Sequence, residues 1–182
     1  STLAQARIGP NEGKKIKADD KIILNKNRNE EKNFSIDVKF NNSNTIRVLK
    51  GEQYQYFMEE SHKNFFSSSY NITNLTDRMG MRLKGPAIKN IINTNIRSEG
   101  IIRGAIQIPG DGQPIILLTD HPTIGGYPKI AYVISADYDL LVQKKPGTNI
   151  SFKCIELDEA EKLYKDKKDK ISKIIKNIKE IN

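Results

Sequence analysis

Cysteine, histidine and tryptophan are nearly absent from this sequence: Cys154, His62 and His121 stand for the first two, and tryptophan does not occur. A lone cysteine excludes an intrachain disulfide, and it lacks the neighbouring thiols or imidazoles that a zinc site needs. Cys154 is therefore read as a small core residue on a strand over 150–155. Long apolar runs are missing too. The longest, such as 114–118, are strand-sized, far short of the roughly 20 apolar residues of a membrane-crossing helix. No secretory leader is recognisable, and the expected compartment is the cytoplasm.

Signatures of phosphate, metal and acyl chemistry are also lacking. There is no Gly-x-x-x-x-Gly-Lys-Ser/Thr loop, no His-Glu-x-x-His helix and no Gly-x-Ser-x-Gly elbow. Two histidines are too few for a histidine-rich centre, so no metal ligands are assigned. The formal charge is +8, from 30 basic and 22 acidic residues. The lysines are dispersed among asparagine and isoleucine, without an interleaved row of cations and aromatics, so neither nucleic acid nor membrane is an expected partner. Apolar content of 37% and charged content of 29% suit a soluble domain, and 182 residues suffice for one full core.

What is present is concentrated between residues 98 and 128. Ser98-Glu99-Gly100-Ile101 is followed by Gly104-Ala105-Ile106-Gln107-Ile108-Pro109 and by Asp111-Gly112-Gln113-Pro114-Ile115-Ile116-Leu117. Asp120, Thr123 and Gly125-Gly126-Tyr127-Pro128 complete the stretch. The β-rich runs 106–109 and 115–118 flank a Gly-Asp-Gly turn, which reads as a hairpin because glycine reaches positive φ at little steric cost. The glycines have two readings at this level: corners of a tight β-barrel, or a place where backbone must approach a ligand closely.

Further segments belong with these: Ile46-Arg47-Val48, Gly51, Gln53, Asp77-Arg78-Met79-Gly80-Met81-Arg82-Leu83-Lys84-Gly85-Pro86, Val133-Ile134-Ser135-Ala136-Asp137, Gln143 and Pro146-Gly147. At these spacings the sequence resembles a carboxyltransferase family. That family includes the C subunit of 5-oxoprolinase, allophanate hydrolase subunit 2, the sporulation-kinase-inhibitor antagonist and a domain of urea carboxylase. The resemblance runs to about Glu156. The opening Ser1-Thr2-Leu3, with Gly9, Gly13, Asp20 and Ile22, is similar to a segment from the middle of such proteins. The chain thus resembles their C-terminal half, and the resemblance implies a missing N-terminal lobe as a partner. It also implies a mainly β fold, a cyclophilin-like β-barrel with few helices. Glu52 departs from the family, where proline usually follows the glycine at position 51, so the loop before Gln53 has no expected geometry.

Residues 1–24 are expected to be a remnant of the preceding lobe or a barrel-entry segment, with a strand-like end at 21–24. Residues 25–156 are expected to form the barrel domain, opening on a polar loop at 25–33, and 157–182 a basic C-terminal helix. Period-two alternation predicts strands over 34–40 and 45–49, separated by a turn at 41–44. A short helix is expected over 54–66, with Phe57, Met58 and Phe65 in the core and His62 on its surface. Strands are expected at 70–75 and 81–83 and throughout 101–152, with turns at 110–112, 125–126 and 146–147. Ile171, Ile174, Ile175, Ile178 and Ile181 recur at helical steps, and Asp158 with Glu161 resembles a capping pair. The isoleucine stripe is expected to dock on its own domain while the lysines face water.

The polar residues inside the motifs are the candidates for chemistry. Arg78 and Arg82 flank Gly80, and guanidinium forks bind carboxylate or phosphate bidentately. The other reading of the same residues is structural, one arginine pairing with Asp77 or Glu99 to lock the barrel. Glu99 is placed to orient an arginine or act as a base. Gln107 sits in an apolar strand, where an unpartnered amide costs roughly 1–3 kcal/mol, so a ligand amide, a ureido group or a neighbouring strand must satisfy it. Asp120 and Thr123, ahead of Gly125, Gly126 and Tyr127, suit a polar rim where backbone N–H groups meet an anion. Tyr127 either stacks on a ligand ring or plugs the barrel end. The expected catalytic residues are Arg78, Arg82, Glu99 and Asp120, and the expected substrate-binding residues are Ser98, Gln107, Thr123, Gly125, Gly126 and Tyr127.

The resemblance implies a role beside two partners, one like the B subunit of 5-oxoprolinase and one like its A-type hydrolase. Their joint reaction would be the ATP-dependent opening of 5-oxoproline to glutamate, with the isolated lobe inactive. ATP enters through the complex. Two other roles come with the same family. One is carboxyl transfer to urea or a related amide, with biotin as cofactor, although the chain has no Met-Lys-Met attachment signal. The other is non-enzymatic binding of a kinase inhibitor. No prolyl-isomerase motif accompanies the implied barrel, so isomerisation is not implied.

Overall fold

The computed structural model describes residues 7–23, 33–36, 42–91 and 95–181. They fall into two compact units, one drawn from Ser1–Ser35 and Lys179–Asn182, the other from Ile36–Ile178.

In the first unit, β1 (Asn33–Ser35) pairs antiparallel with β11 (Lys179–Ile181), and a short 3-10 turn covers Pro10–Gly13. Ile181 is thereby corrected from a helix position to a strand position. Residues 21–23 form no strand, contrary to expectation. No neighbouring strand pairs with them, and Ile22 and Ile23 are exposed, so neither ladder nor core supports extension there. Leu24, residues 37–40 and Asn41 lie outside the described residues.

The second unit is built on a closed barrel. Its strands are β2 (Thr45–Lys50), β3 (Ser69–Ile72), β4 (Gly80–Lys84), β6 (Ala105–Gln107), β7 (Ile115–Leu117), β9 (Lys129–Val133) and β10 (Asn149–Cys154). They close in the order β10-β2-β9-β6-β7-β4-β3, every pairing antiparallel except β10 with β2. Closure removes the unpaired edges that an open sheet would expose. The expected hairpin is present, with Ile106 opposite Ile116. Ile46, Val48, Ile72, Met81, Ile106, Ile116, Ile130 and Ile150 fill the interior at about 0–1% exposure. Each such side chain contributes roughly 1.5–3 kcal/mol by leaving water. The mainly β architecture read from the sequence is the observed one.

Helix α1 (Glu59–Ser67) adds Phe65 to this core, where its ring stacks on Phe152 at 4.5 Å. Phe57 is buried as expected, but Met58 is 41% exposed because it stands ahead of the helix in extended conformation. His62 is half-buried and not a free surface residue: its ring stacks on Tyr54 at 3.8 Å and its Nε2 contacts the Tyr54 carbonyl at 2.7 Å. Cys154 is also only half-buried, the last position of β10, while Ile155 takes the core place beside it.

Two elements were not expected. Helix α2 (Tyr138–Val142) interrupts the strand-rich region, anchored by Asp137. This carboxylate, 3% exposed, accepts from the Arg47 backbone amide and Nε, both at 2.9 Å. The second is a two-stranded ribbon of β5 (Glu99–Gly100) and β8 (Ile124–Gly125), so the turn expected at 125–126 begins as a strand.

Helix α3 (Leu157–Lys176) confirms the period read from the sequence, with two corrections. Glu156 is its N-cap and no side chain caps it; Asp158 lies inside the first turn, where its charge suits the helix dipole. The helix docks through Ala160, Leu163 and Lys167, against Ile134, Ile155 and the Ala136 carbonyl, and of its isoleucines only Ile174 is partly buried. Ile171 and Ile175 are 44% and 61% exposed. Among the described residues, no helix is long and apolar enough to cross a membrane.

Candidate functional site

A polar cluster occupies the outer wall of the barrel. On β6, Ile106 turns inward to the core, which leaves Ala105 and Gln107 on the outer face. Across the ladder, Tyr132 partners Ala105 and Lys129 partners Gln107, because a β-bulge skips Ile130. Bulges re-aim side chains. Here the bulge puts Lys129 and Gln107 side by side.

Lys129 is 2% exposed, and its ammonium meets the Glu99 carboxylate. Gln53, also buried, ties the pair together. Its Nε2 donates to Glu99 Oε1 at 2.9 Å, and its Oε1 accepts from the Lys129 backbone amide at 3.1 Å. The chain reaches this position because residue 51 is glycine. A Cβ there would lie 2.3 Å from the Lys129 carbonyl oxygen, while the Gly51 amide donates to the Ile130 carbonyl at 2.9 Å. The close approach of two backbones drops Gln53 onto Lys129.

The β5–β8 ribbon roofs the cluster. Glu99 pairs with Gly125, and a Cβ on Gly125 would lie 2.8 Å from Gln107 Nε2. The Gln107 side chain is 5% exposed, yet its amide nitrogen reaches only the Tyr127 carbonyl, at 3.5 Å, the long limit of a hydrogen bond. The Gln107 carboxamide is thus buried with a single long contact.

Beside the cluster runs a groove of about 580 Å³, whose lining includes Glu52, Ile102, Arg103, Tyr132 and Tyr164. Glu52 accepts a hydrogen bond from the Tyr132 hydroxyl, which fixes the loop whose geometry the sequence left open. Burial, then the Glu52 carboxylate, hold the Tyr132 phenol well above its ordinary pKa. Arg103 lies over the Tyr138 ring at 4.5 Å.

The sequence matches the carboxyltransferase domain, subdomain A and B, over residues 1–154. The chain belongs to the carboxyltransferase domain family. It is 34% identical to the C subunit of 5-oxoprolinase from Escherichia coli K12 over 167 residues, covering 92% of this chain and 54% of that protein. Against the corresponding 5-oxoprolinase protein of Haemophilus influenzae it is 35% identical over 163 residues, covering 90% and 52%. The chain thus spans about half the length of these curated relatives. The crystal structure of Kluyveromyces lactis urea carboxylase superimposes with a TM-score of 0.70 at 25% identity, covering 75% of this chain and 13% of that one. Every residue of the outer-wall cluster lies inside the matched carboxyltransferase domain; α3 lies beyond it.

Within this domain the residues singled out from sequence separate into two places. Glu99, Gln107, Gly125 and Tyr127 meet at the outer wall. Ser98 and Gly126 continue the ribbon, with the Ile96 amide donating to the Gly126 carbonyl at 2.8 Å, and the Thr123 carbonyl accepts from Ile101 at 3.1 Å. Arg78 and Asp120 form a separate bidentate pair, Nε to Oδ2 at 2.6 Å and Nη2 to Oδ1 at 3.1 Å. The arginine fork lowers the Asp120 carboxyl below its usual pKa. Arg82 is exposed and lines another groove, with Thr73, Leu75 and Asp111. The partner of Arg78 is therefore Asp120, and the partners of Glu99 are Lys129 and Gln53; neither pairing is among those the sequence offered.

Lys129 is a site residue that sequence reasoning misses, and Gln53 gains a role that the sequence does not assign it. A signal for Lys129 exists: a charged residue opening the apolar run Lys129–Val133 has the same anomaly that draws attention to Gln107.

Proposed function

We propose that the outer-wall cluster binds the amide of a small lactam. We propose further that the chain acts as the C-terminal lobe of a protein like the C subunit of 5-oxoprolinase, in ATP-dependent cleavage of 5-oxoproline to glutamate. The observation that carries this reading is the Gln107 carboxamide, buried beneath Gly125 with one contact at 3.5 Å. A lactam presents one N–H and one C=O, which match a carboxamide face to face. Glu99, held by Lys129 and Gln53, is a fixed acceptor beside it. Identity of 34–35% to 5-oxoprolinase proteins of two bacteria, over about nine-tenths of the chain, supports the choice of substrate.

The partners in this reading are a protein like the B subunit of 5-oxoprolinase, an A-type hydrolase and an N-terminal lobe like the relatives' other half. The compartment is the cytoplasm, where ATP is available. The outer-wall residues do not fit a triphosphate, since the Lys129 ammonium is already matched by Glu99. ATP use is assigned to the complex, and no step with it runs through these side chains.

A second reading is carboxyl transfer from a biotin carrier to urea or a related amide, favoured by the TM-score of 0.70 to urea carboxylase. A ureido group would meet the same carboxamide. Glutamate formation from 5-oxoproline by the reconstituted complex, with each component omitted in turn, decides between them. Glutamate formation that requires ATP and this chain supports the first reading; its absence, with carboxylation of urea that requires bicarbonate and a biotin carrier, supports the second.

A further inference from the structure

A row of side chains crosses the outside of the barrel. On β4, Met81 and Leu83 belong to the core, which leaves Arg82 and Lys84 on the outer face. Arg82 stands opposite Ile115 on β7, Ile115 opposite Gln107 on β6, and Gln107 opposite Lys129 on β9. Ile115 is thus the half-buried step between the Gln107 carboxamide and the arginine. Two strand spacings separate the Arg82 and Gln107 backbones, about 10 Å.

The two ends of this row differ in charge. On the β9 side, Lys129 is already matched by Glu99, whose carboxylate repels a further anion. On the β4 side, Arg82 and Lys84 form no ion pair among the described residues. Both line the groove of about 330 Å³ that reaches Ile115. The acid in that lining, Asp111, accepts from the Gln113 backbone amide of its own turn. An anionic group on a molecule held at Gln107 is therefore drawn in one direction, across Ile115 toward Arg82.

We propose that Arg82 binds the carboxylate of the lactam substrate and so sets a preference for a lactam acid over a neutral lactam. The inference rests on the lactam reading of the outer wall. In 5-oxoproline the carboxylate sits on the ring carbon next to the amide nitrogen, so a ring whose amide meets Gln107 carries that group to one side. The guanidinium fork donates two parallel hydrogen bonds to a carboxylate, which the point charge of Lys84, farther along the strand, does not. Urea has no carboxylate and gains nothing from the arginine.

The test is steady-state kinetics of the reconstituted complex, with 5-oxoproline as substrate and 2-pyrrolidinone, the same ring without the carboxylate, as competitive inhibitor. Arg82→Gln is expected to raise the KM for 5-oxoproline about tenfold or more, with the melting temperature unchanged because the side chain is exposed and unpaired. The inhibition constant of 2-pyrrolidinone should stay within about twofold, since that ring lacks the charged group. Arg82→Lys should recover part of the loss, and Lys84→Gln should have a smaller effect than Arg82→Gln. Gln107→Met, by contrast, should raise both constants. A KM unchanged by Arg82→Gln overturns the proposal, as does a parallel rise of both constants or an equal effect of Lys84→Gln. A parent complex without ATP-dependent turnover of 5-oxoproline removes the lactam reading, and the proposal falls with it. An active parent indifferent to Arg82→Gln removes the proposal alone.

Discussion

Lys129 and Glu99 form an asymmetric ion pair on the barrel wall: the ammonium is 2% exposed, whereas the carboxylate side chain is 42% exposed. Removing the carboxylate strands a buried charge, while removing the ammonium leaves a carboxylate that water can reach. Glu99→Gln is therefore expected to lower the unfolding free energy by about 3 kcal/mol, and Lys129→Met by about 1 kcal/mol or less. Urea denaturation of both variants checks the order. Equal losses, or a larger one for Lys129→Met, would contradict the assignment.

Gln107 is expected to behave in the opposite way. Its weak contact contributes little to the fold, so Gln107→Met should change stability by less than about 1 kcal/mol. The same change should weaken 5-oxoproline binding about tenfold or more, read by calorimetry on the complex. A large loss of stability would show that the carboxamide is structural.

Glycines 51 and 125 separate fold from site. The Cβ of Gly51→Ala meets a backbone carbonyl at 2.3 Å, so two strands must part, and a loss of about 3 kcal/mol or more is expected. That of Gly125→Ala meets the end of the Gln107 side chain at 2.8 Å, which can move. This variant should fold within about 1 kcal/mol of the parent yet bind lactam poorly. Thermal melts and binding measurements on both variants test the contrast.

Burial pushes the Tyr70 phenol up to about 12, with its hydroxyl donating to the Pro86 carbonyl at 3.2 Å. In the unfolded chain the same group titrates near 10. The fold favours the neutral phenol, so this contribution is intact below about pH 10 and is lost as pH rises through about 12. Tyr70→Phe should flatten that alkaline decline, followed by denaturation midpoints between pH 9 and 12. An unchanged decline would place the alkaline transition elsewhere.

The barrel is legible in the sequence because its causes are local: alternation on β2, and a glycine-rich turn between two apolar runs at β6 and β7. Gln107 is legible for a similar reason, as an amide out of place in an apolar run. The Glu99–Lys129–Gln53 cluster is not, because its members come from three distant segments and meet through a bulge and a backbone approach at Gly51. The Arg78–Asp120 pair likewise joins residues far apart in sequence. The docked face of α3 escapes the sequence for another reason. Periodicity identifies an apolar stripe, but Leu163 and the lysine stem of 167 hold the helix by the neighbouring face.

The most direct test is steady-state turnover of 5-oxoproline by the reconstituted complex carrying Gln107→Met in place of the parent chain. The KM for 5-oxoproline is expected to rise about tenfold or more with the fold intact, since the lactam amide loses its proposed partner on the outer wall. Unchanged KM and kcat in a complex that assembles normally would remove Gln107, and with it the outer wall, from substrate recognition.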